Sequence, residues 1–454
     1  MEKHGVDCRI LDAHALQLRM SDVQQYIREY RPDMTGITFT TENRFIGFDT
    51  IKAAKAALPE TLTVAGGPHV SAAAKDTLSH IPELDVIVRG EGEQSLLKLV
   101  QSSGDLEHIP GISYRADDQV IANPPGDFIH DLDSLPFPAR HLMPMDRYRY
   151  VADVPGVGKL KALNIMASRG CPFNCSFCAS PGMWGRRYRA RSPENVLAEV
   201  DELVNKYGAK ALWVFDDTFT IERSRTTAIC EGLAERFPGI KWFCEIRVDT
   251  VDRELLTIMK KAGCYCVAFG VESGSQRIID ESIGKRIKLE QVTQVVNWCK
   301  ELGLQFNPFM ILSHPDETED DARETMRLVR EWKDAGGLVS MAVMHIYPGT
   351  RIESIAREKG VLPEDFSWAS MEDAKRVPML PAAQGDVPIF LDKLSWDFLS
   401  ACLFEWARTQ KYSVLKRVPK ALASIRSFGD VKRYWGMLKV YLRPKQGFMR
   451  KTNV

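Results

Sequence analysis

Cys171, Cys175 and Cys178 are spaced C-x3-C-x2-C in a polar loop that opens on Gly170. Three thiolates on one tight loop can hold three irons of a cubane cluster and leave the fourth iron without a protein ligand. Zinc takes four protein ligands in structural sites and keeps an open position in catalytic ones, usually with His among the three. No His lies close to the trio in sequence, so iron–sulfur ligation by cysteine is the better match. The bland alternative is a short disulfide or zinc loop.

With Ser168-Arg169-Gly170 ahead of it and Phe177 before the last Cys, this string resembles the signature of the radical SAM superfamily. The resemblance implies a 4Fe–4S cluster whose open iron chelates the amino and carboxylate groups of S-adenosylmethionine. Once reduced, the cluster would cleave that molecule to methionine and a 5′-deoxyadenosyl radical. Phe177 is similar to the residue whose backbone pairs with the adenine edge.

The elements that must position this loop can be read along the chain. At 454 residues the chain has room for two or three domains. Lys plus Arg and Asp plus Glu are equal at 60 each, so no global field selects an acidic or basic partner. Ten cysteines are too few for a disulfide scaffold, and the seven outside the loop sit mostly among apolar neighbours, as buried free thiols do. That usage suits a reducing, cytoplasmic setting. No signal peptide and no run of about 18 apolar residues is present.

Residues 8–12, 34–39, 62–65 and 84–88 read as short buried strands, with helical patterns at Ser21 to Tyr30, capped by the Ser, and at Ile51 to Leu58. This alternation implies a doubly wound parallel sheet whose ligand lies beyond the strands' carboxyl ends. Thr40, Thr41, Gly66, Gly67, His69, Gly90 and Glu91 occupy those ends. The strings Gly66-Gly67-Pro68-His69-Val70 and Arg89-Gly90-Glu91-Gly92-Glu93 resemble the flavodoxin-like (Rossmann-like) cobalamin domain that precedes many radical SAM modules. Matched to it, residues 8–12 fall on the second strand and Met1 to Gly5 on the tail of the first helix. In the order 2-1-3-4-5, loss of the first strand leaves two central edges unpaired. The expectation is therefore an N-terminally incomplete domain, unless another segment, Gly111–Ile121 being nearest, substitutes. Asp12-Ala13-His14 imitates the family's cobalt-ligating motif, but the string runs to Gln17 rather than Gly, so His14 is read as a surface or loop histidine.

The expected division is a cobalamin domain over 1–104, a Pro-punctuated connector over 105–160, a radical SAM barrel over 161–355 and a mostly helical, basic region over 356–454. Six strand–helix repeats from Ala162 predict a partial (β/α)6 TIM-type barrel, with its site at the strands' C-terminal ends. Asp216-Asp217, Arg247 and Glu272-Ser273-Gly274 lie at those ends. In the resemblance, Gly-x-Glu-Ser-Gly contacts the ribose and methionyl parts of S-adenosylmethionine, which carries over to Glu272 and Ser273. Asp216 and Arg247 are read as contacts to S-adenosylmethionine or substrate, with an ion pair at the barrel rim as the alternative. Where the family usually shows Gly-x-Pro-Gly-Glu-Thr, this chain has Ser313-His314-Pro315-Asp316-Glu317-Thr318. His314 is thus a candidate catalytic group, shuttling a proton or binding substrate. Cys264 and Cys266 are read as packing.

Residues 401–454 carry 13 Lys plus Arg against Glu405 and Asp430, interleaved with aromatics such as Tyr412, Tyr434, Trp435 and Tyr441. They read as a solvated basic face or as a peripheral contact with an anionic membrane. The resemblance points to a cobalamin-dependent radical SAM methyltransferase of the class B type. It would carry a methyl group from S-adenosylmethionine through methylcobalamin to a substrate carbon radical. The implied partners are a small-molecule or lipid-like substrate and an electron donor of the flavodoxin or ferredoxin type. Nucleic acid is not expected, since neither a second cysteine cluster nor an appended RNA-binding barrel is visible. The alternatives are a non-methylating relative, such as an anaerobic porphyrin ring cyclase, and a cobalamin-binding regulator with a vestigial barrel.

Overall fold

The computed structural model describes residues 1–102, 104–117, 119–379 and 387–409. Among them, β1 (Met34–Thr38), β2 (Leu62–Gly66) and β3 (Val86–Val88) form a parallel sheet. The hairpin β4 (Ile112–Ala116) and β5 (Gln119–Ala122) extends it antiparallel from β3, carrying the sheet past residue 104. The order is β1-β2-β3-β4-β5.

The structure corrects three readings of this region. Residues 8–12 are not a strand: they lie outside the sheet, and Leu11 packs beside Val23, Ile27, Ala54 and Leu58 of the two helices that follow. Strands draw their stability from paired neighbours, and β1 pairs only with β2. Gly111–Ile121 does not take the place beside β1, because its strands add to the opposite edge. Finally, the helix Met20–Tyr30 is not capped by Ser21; Asp22 accepts from the Arg19 backbone N–H at 2.9 Å instead.

The second sheet is built from β6 (Val151–Val154) and β7 (Gly158–Ile165), with β8 (Ser168–Arg169) and β9 (Arg189–Ala190) forming a separate two-stranded pair beside the cysteine loop. It continues through β10 (Ala211–Val214), β11 (Lys241–Ile246), β12 (Cys264–Glu272), β13 (Gln305–Leu312) and β14 (Ser340–Val343). The order β14-β13-β12-β11-β10-β7-β6 is parallel except for the β6–β7 hairpin, giving a curled half-barrel. Parallel strands need crossover helices, which here run at Pro193–Asn205, Arg223–Arg236, Arg253–Lys261, Leu289–Leu302 and Glu319–Asp334. Their apolar stripes meet Leu212, Val214, Trp242, Cys244, Ile246, Val267 and Phe269 in one core. Cys264 lies in the same core, and Cys266 is equally buried.

The two sheets face each other with their carboxyl ends. A strap at Phe366–Ala369 closes the contact: Arg44, fully buried, donates to the Trp368 and Thr41 carbonyls at 2.8 Å each. Asp76 accepts from Ser367 Oγ at 2.8 Å and from the Ala369 N–H at 3.0 Å. Beyond the strap, Trp396–Thr409 docks on the last barrel helix through Arg330 and Glu405 at 2.5 Å. The basic stretch with Tyr412, Tyr434, Trp435 and Tyr441 lies outside the described residues. Among those described, no helix is long and apolar enough to cross a membrane.

Candidate active site

The cysteine loop begins where β7 ends, and its geometry is fixed from below. Asp216, at the end of β10, is buried and accepts from the Ala167 N–H and the Ser168 hydroxyl at 2.6 Å each. Burial pushes its carboxyl up, against those hydrogen bonds and the Arg225 charge. Asp216 therefore orients the chain entering the loop, and its carboxylate is not turned to open space. Replacing Asp216 with Ala would leave two buried donors unsatisfied, at a cost of about 1–3 kcal/mol each. The expected result is a lower melting temperature and less iron retained after reconstitution than in wild type. Gly170 is required by close approach, since a Cβ there would overlap the Arg187 carbonyl oxygen.

Further along the loop, Ser176 ties it to a π-helical turn at Ile278–Ile283 through its N–H to the Ile283 carbonyl at 3.0 Å and its hydroxyl to the Ser282 carbonyl at 2.8 Å. Phe173 lies under the Arg247 guanidinium at 3.5 Å. Arg247 also pairs with Asp249 at 2.8 Å and donates to the Lys285 carbonyl at 3.1 Å. Lys285 completes the group by pairing with Glu272 at 2.7 Å, both side chains buried. Burial pushes the Cys175 thiol up, with Lys285 and Arg247 acting against that rise. It pushes the Cys178 thiol up to about 12.

All three loop cysteines are free and half-exposed. Among the described residues, no three His, Cys, Asp or Glu side chains are placed to hold one metal ion. A cluster takes separate thiols, one to each iron. Thiols raised by burial become thiolates when a cationic centre binds them, and Lys285 and Arg247 offset the added negative charge. The donor set fits a 4Fe–4S cluster held by Cys171, Cys175 and Cys178.

Glu272 has a left-handed backbone, φ +76°, uncommon for a residue with a side chain. Gly270 makes room for its ion pair, because a Cβ at that position would overlap Glu272 Oε1 and Lys285 Nζ. Ser273 is buried against Thr325, with 3.3 Å between hydroxyls, and Gly274 N donates to Thr325 Oγ1 at 2.8 Å. His314 is 2% exposed; its Nε2 lies 3.3 Å from the Glu272 carbonyl oxygen, and burial pulls its pKa down to about 4. The neutral ring therefore backs the Glu272 backbone rather than facing open space. Beside it, Glu317 accepts from the Ser313 and His314 N–H groups, and its carboxyl is pushed up to about 8 by burial.

In the first sheet, Gly67 has φ +101°, and a Cβ there would meet the Phe39 carbonyl at 2.7 Å. Gly66 lies half-buried beside it at the end of β2. His69 is turned inward, its Nδ1 3.1 Å from Thr41 Oγ1, and burial holds it neutral with a pKa near 3. Thr40 is exposed, its N–H on Asn43 Oδ1 at 2.7 Å, and the Gly90 N–H donates to Ser71 Oγ at 2.9 Å. Glu91 pairs with Arg189 at 2.6 Å, both buried, while Arg169 pairs with Glu93 at 2.6 Å. The string Arg89–Glu93 is thereby bolted to the segments on either side of the cysteine loop. His14 is exposed in a turn.

The structure thus brings Cys175, Arg247, Glu272 and the unforeseen Lys285 together. Phe177 packs between the barrel core and the apolar cluster around Phe366 and Trp368. Asp216, Ser273, His314, Thr41, His69 and Glu91 are turned into supporting contacts. Lys285 had no motif of its own; it stands in the basic string Lys285-Arg286-Ile287-Lys288, where nothing in the sequence singles it out.

A half-barrel carrying this cysteine loop, faced by a Rossmann-like sheet with open glycine turns, defines a two-cofactor radical enzyme. The radical SAM superfamily profile matches residues 165–329 and the B12 binding domain profile residues 1–100. An uncharacterised methyltransferase of Pyrococcus horikoshii is 35% identical over 364 residues, covering 80% of this chain and 77% of the relative. The anaerobic magnesium-protoporphyrin IX monomethyl ester cyclase of Rubrivivax gelatinosus is 32% identical, covering 80% of this chain and 64% of that protein. The solved structure of the methyltransferase TsrM from Kitasatospora setae, with cobalamin and a 4Fe–4S cluster bound, aligns with a TM-score of 0.69 at 15% identity. That alignment covers 97% of this chain and 94% of TsrM, and shows a shared fold. The chain belongs to the cobalamin-dependent radical SAM family, and its cofactors are a 4Fe–4S cluster, S-adenosylmethionine and cobalamin.

Proposed function

We propose that this enzyme is a methyltransferase that moves a methyl group from S-adenosylmethionine to a carbon of a small-molecule acceptor. The observation that carries the reading is the facing of the two ligand ends. Gly90 of the first sheet lies 3.9 Å, from its would-be Cβ, from the Met183 carbonyl just after the cysteine loop. Tyr347, after β14, donates to Glu42, after β1, at 2.7 Å. A flat ligand seated over Gly66 and Gly90, where a Cβ would meet nothing closer than 3.9 Å, would therefore lie over the barrel mouth. When bound, the cluster supplies the electron that breaks S-adenosylmethionine and cobalamin supplies a methyl carrier. Cys171, Cys175 and Cys178 would hold the cluster, while Glu272 would take donor groups of S-adenosylmethionine. His314 would hold the Glu272 backbone in its strained conformation, a positioning role. The buried wall of Phe366 and Trp368 would exclude water from one side.

The test needs no knowledge of the acceptor. Anaerobically reconstituted protein is given a reductant, hydroxocobalamin and S-adenosylmethionine, and the visible spectrum is followed for methyl-loaded cobalamin. The exposed edge of β1 is where the order 2-1-3-4-5 sets a further strand, so an N-terminally extended chain is run beside Met1–Val454. If neither chain binds cobalamin, the methyltransferase reading falls. The 32% identical cyclase supports a second reading within the same family, radical chemistry without methyl transfer. In the presence of an acceptor, S-adenosylhomocysteine formed together with 5′-deoxyadenosine favours methylation; 5′-deoxyadenosine alone favours the cyclase type. A one-electron donor of the flavodoxin or ferredoxin type, and contact of the basic C-terminal stretch with a membrane, remain part of the proposal.

A further inference from the structure

The inner wall of the half-barrel carries a carboxylate, Glu245, that accepts no hydrogen bond and forms no ion pair among the described residues. On β11, Trp242, Cys244 and Ile246 pack into the core shared with the helices, so alternation turns Phe243 and Glu245 to the opposite, inner face. The same argument turns Trp213 and Phe215 inward, because Leu212 and Val214 belong to that core. On β13, Phe306, Met310 and Leu312 are core residues, leaving Asn307, Phe309 and Ile311 inside. Register sets Glu245 beside Ala268, and Ala268 beside Asn307. Phe215 follows Val214, the partner of Cys244, and so flanks Glu245 on the other side. One layer of the wall therefore reads Phe215, Glu245, Ala268, Asn307.

This layer reaches the surface at one end. Phe215 is 47% exposed, and Glu245 beside it is itself only half-buried. By contrast, Glu272 pairs with Lys285, Glu199 with Arg140 and Asp321 with Arg277, and Asp217 accepts from Ser180. Glu245 makes no side-chain hydrogen bond or ion pair among the described residues. Burial, then the nearby Asp217 and Glu272 against Lys285, pushes its carboxyl up to about 7. A half-buried carboxylate without a partner is costly unless something outside the chain completes it.

We infer that Glu245 anchors the methyl acceptor, receiving a hydrogen-bond donor or cationic group of a ring-bearing, otherwise apolar substrate laid against Phe215, Phe243 and Phe309. The inference rests on the reading above that the acceptor enters this barrel.

Three probes of one shape test it by equilibrium dialysis against the holoenzyme: naphthylmethylamine, naphthylmethanol and naphthoate. Wild type should bind the amine about tenfold or more tighter than naphthoate, with the alcohol between. E245Q should remove most of that preference and E245D restore it. Bound cobalamin shows whether each variant has folded, and E245A takes the place of E245Q should the latter fail to retain cobalamin. A flat ranking in wild type, or a ranking that survives E245Q, overturns the inference. Methyl loading of cobalamin, measured on the same wild-type preparation, reports separately on the methyltransferase reading. Loading without probe preference sinks only Glu245, and preference without loading sinks only the methyl transfer.

Discussion

C178A protein, reconstituted anaerobically with iron and sulfide, should produce 5′-deoxyadenosine only at background while remaining folded. The residue is half-buried on the loop and is not among the residues of the apolar core, so its loss should cost little stability. Two remaining thiols cannot hold the cluster in the way three do, and with its electron source gone S-adenosylmethionine is left intact. The control is Cys230, which is fully buried in the barrel core. C230A should lose about 1 kcal/mol of stability to packing and keep its full iron content. Iron analysis, the visible absorption of the cluster and chromatography of the cleavage products check both outcomes. Equal iron in C178A and wild type would remove the loop from the ligand set.

K285M gives the next largest effect. Lys285 and Glu272 are both buried, and removing one partner strands the other charge in the interior. Breaking such a pair costs about 3–5 kcal/mol, whereas replacing both partners by apolar groups is often near neutral. The single variant should therefore unfold at markedly lower denaturant, and E272M/K285M should recover most of that loss. Binding of S-adenosylmethionine should follow a different course, weak in the single variant and still weak in the double, since the Glu272 carboxylate is absent. Recovery of both together would make the pair purely structural. Denaturant titration and isothermal calorimetry with S-adenosylmethionine separate the two.

The order of the barrel was legible because parallel strands buried on the helix side read as apolar runs, as in Cys264–Gly270, and each is followed by a periodic helix. The Rossmann-like sheet was less so. Residues 8–12 have the composition of a strand, but composition does not supply the neighbour that a strand requires. The helix at Arg44–Ala57 looked shorter than it is, because Arg44 hides its burial behind a charge, lying over Phe45 and bonded to the strap. At the site, position at a strand end could be read, but the direction of a side chain could not. Asp216 and Asp217 are adjacent, yet Asp216 clamps backbone below the loop while Asp217 meets Ser180. Lys285 was missed because its partner ends β12, before the π-helical turn, and no local spacing encodes that pairing.

The ion pairs of Glu91 with Arg189 and of Glu93 with Arg169 carry a consequence for how the enzyme is filled. They place rigid rivets across the seam between the two lobes, beside the loop that would carry the cluster. The Pro-rich linker is then a tether without leverage, because the lobes are held by their own faces and by the strap over Trp368. Opening that seam would require both pairs to break, one of them buried. On the proposed reading the acceptor would enter beside Phe215, which is left uncovered.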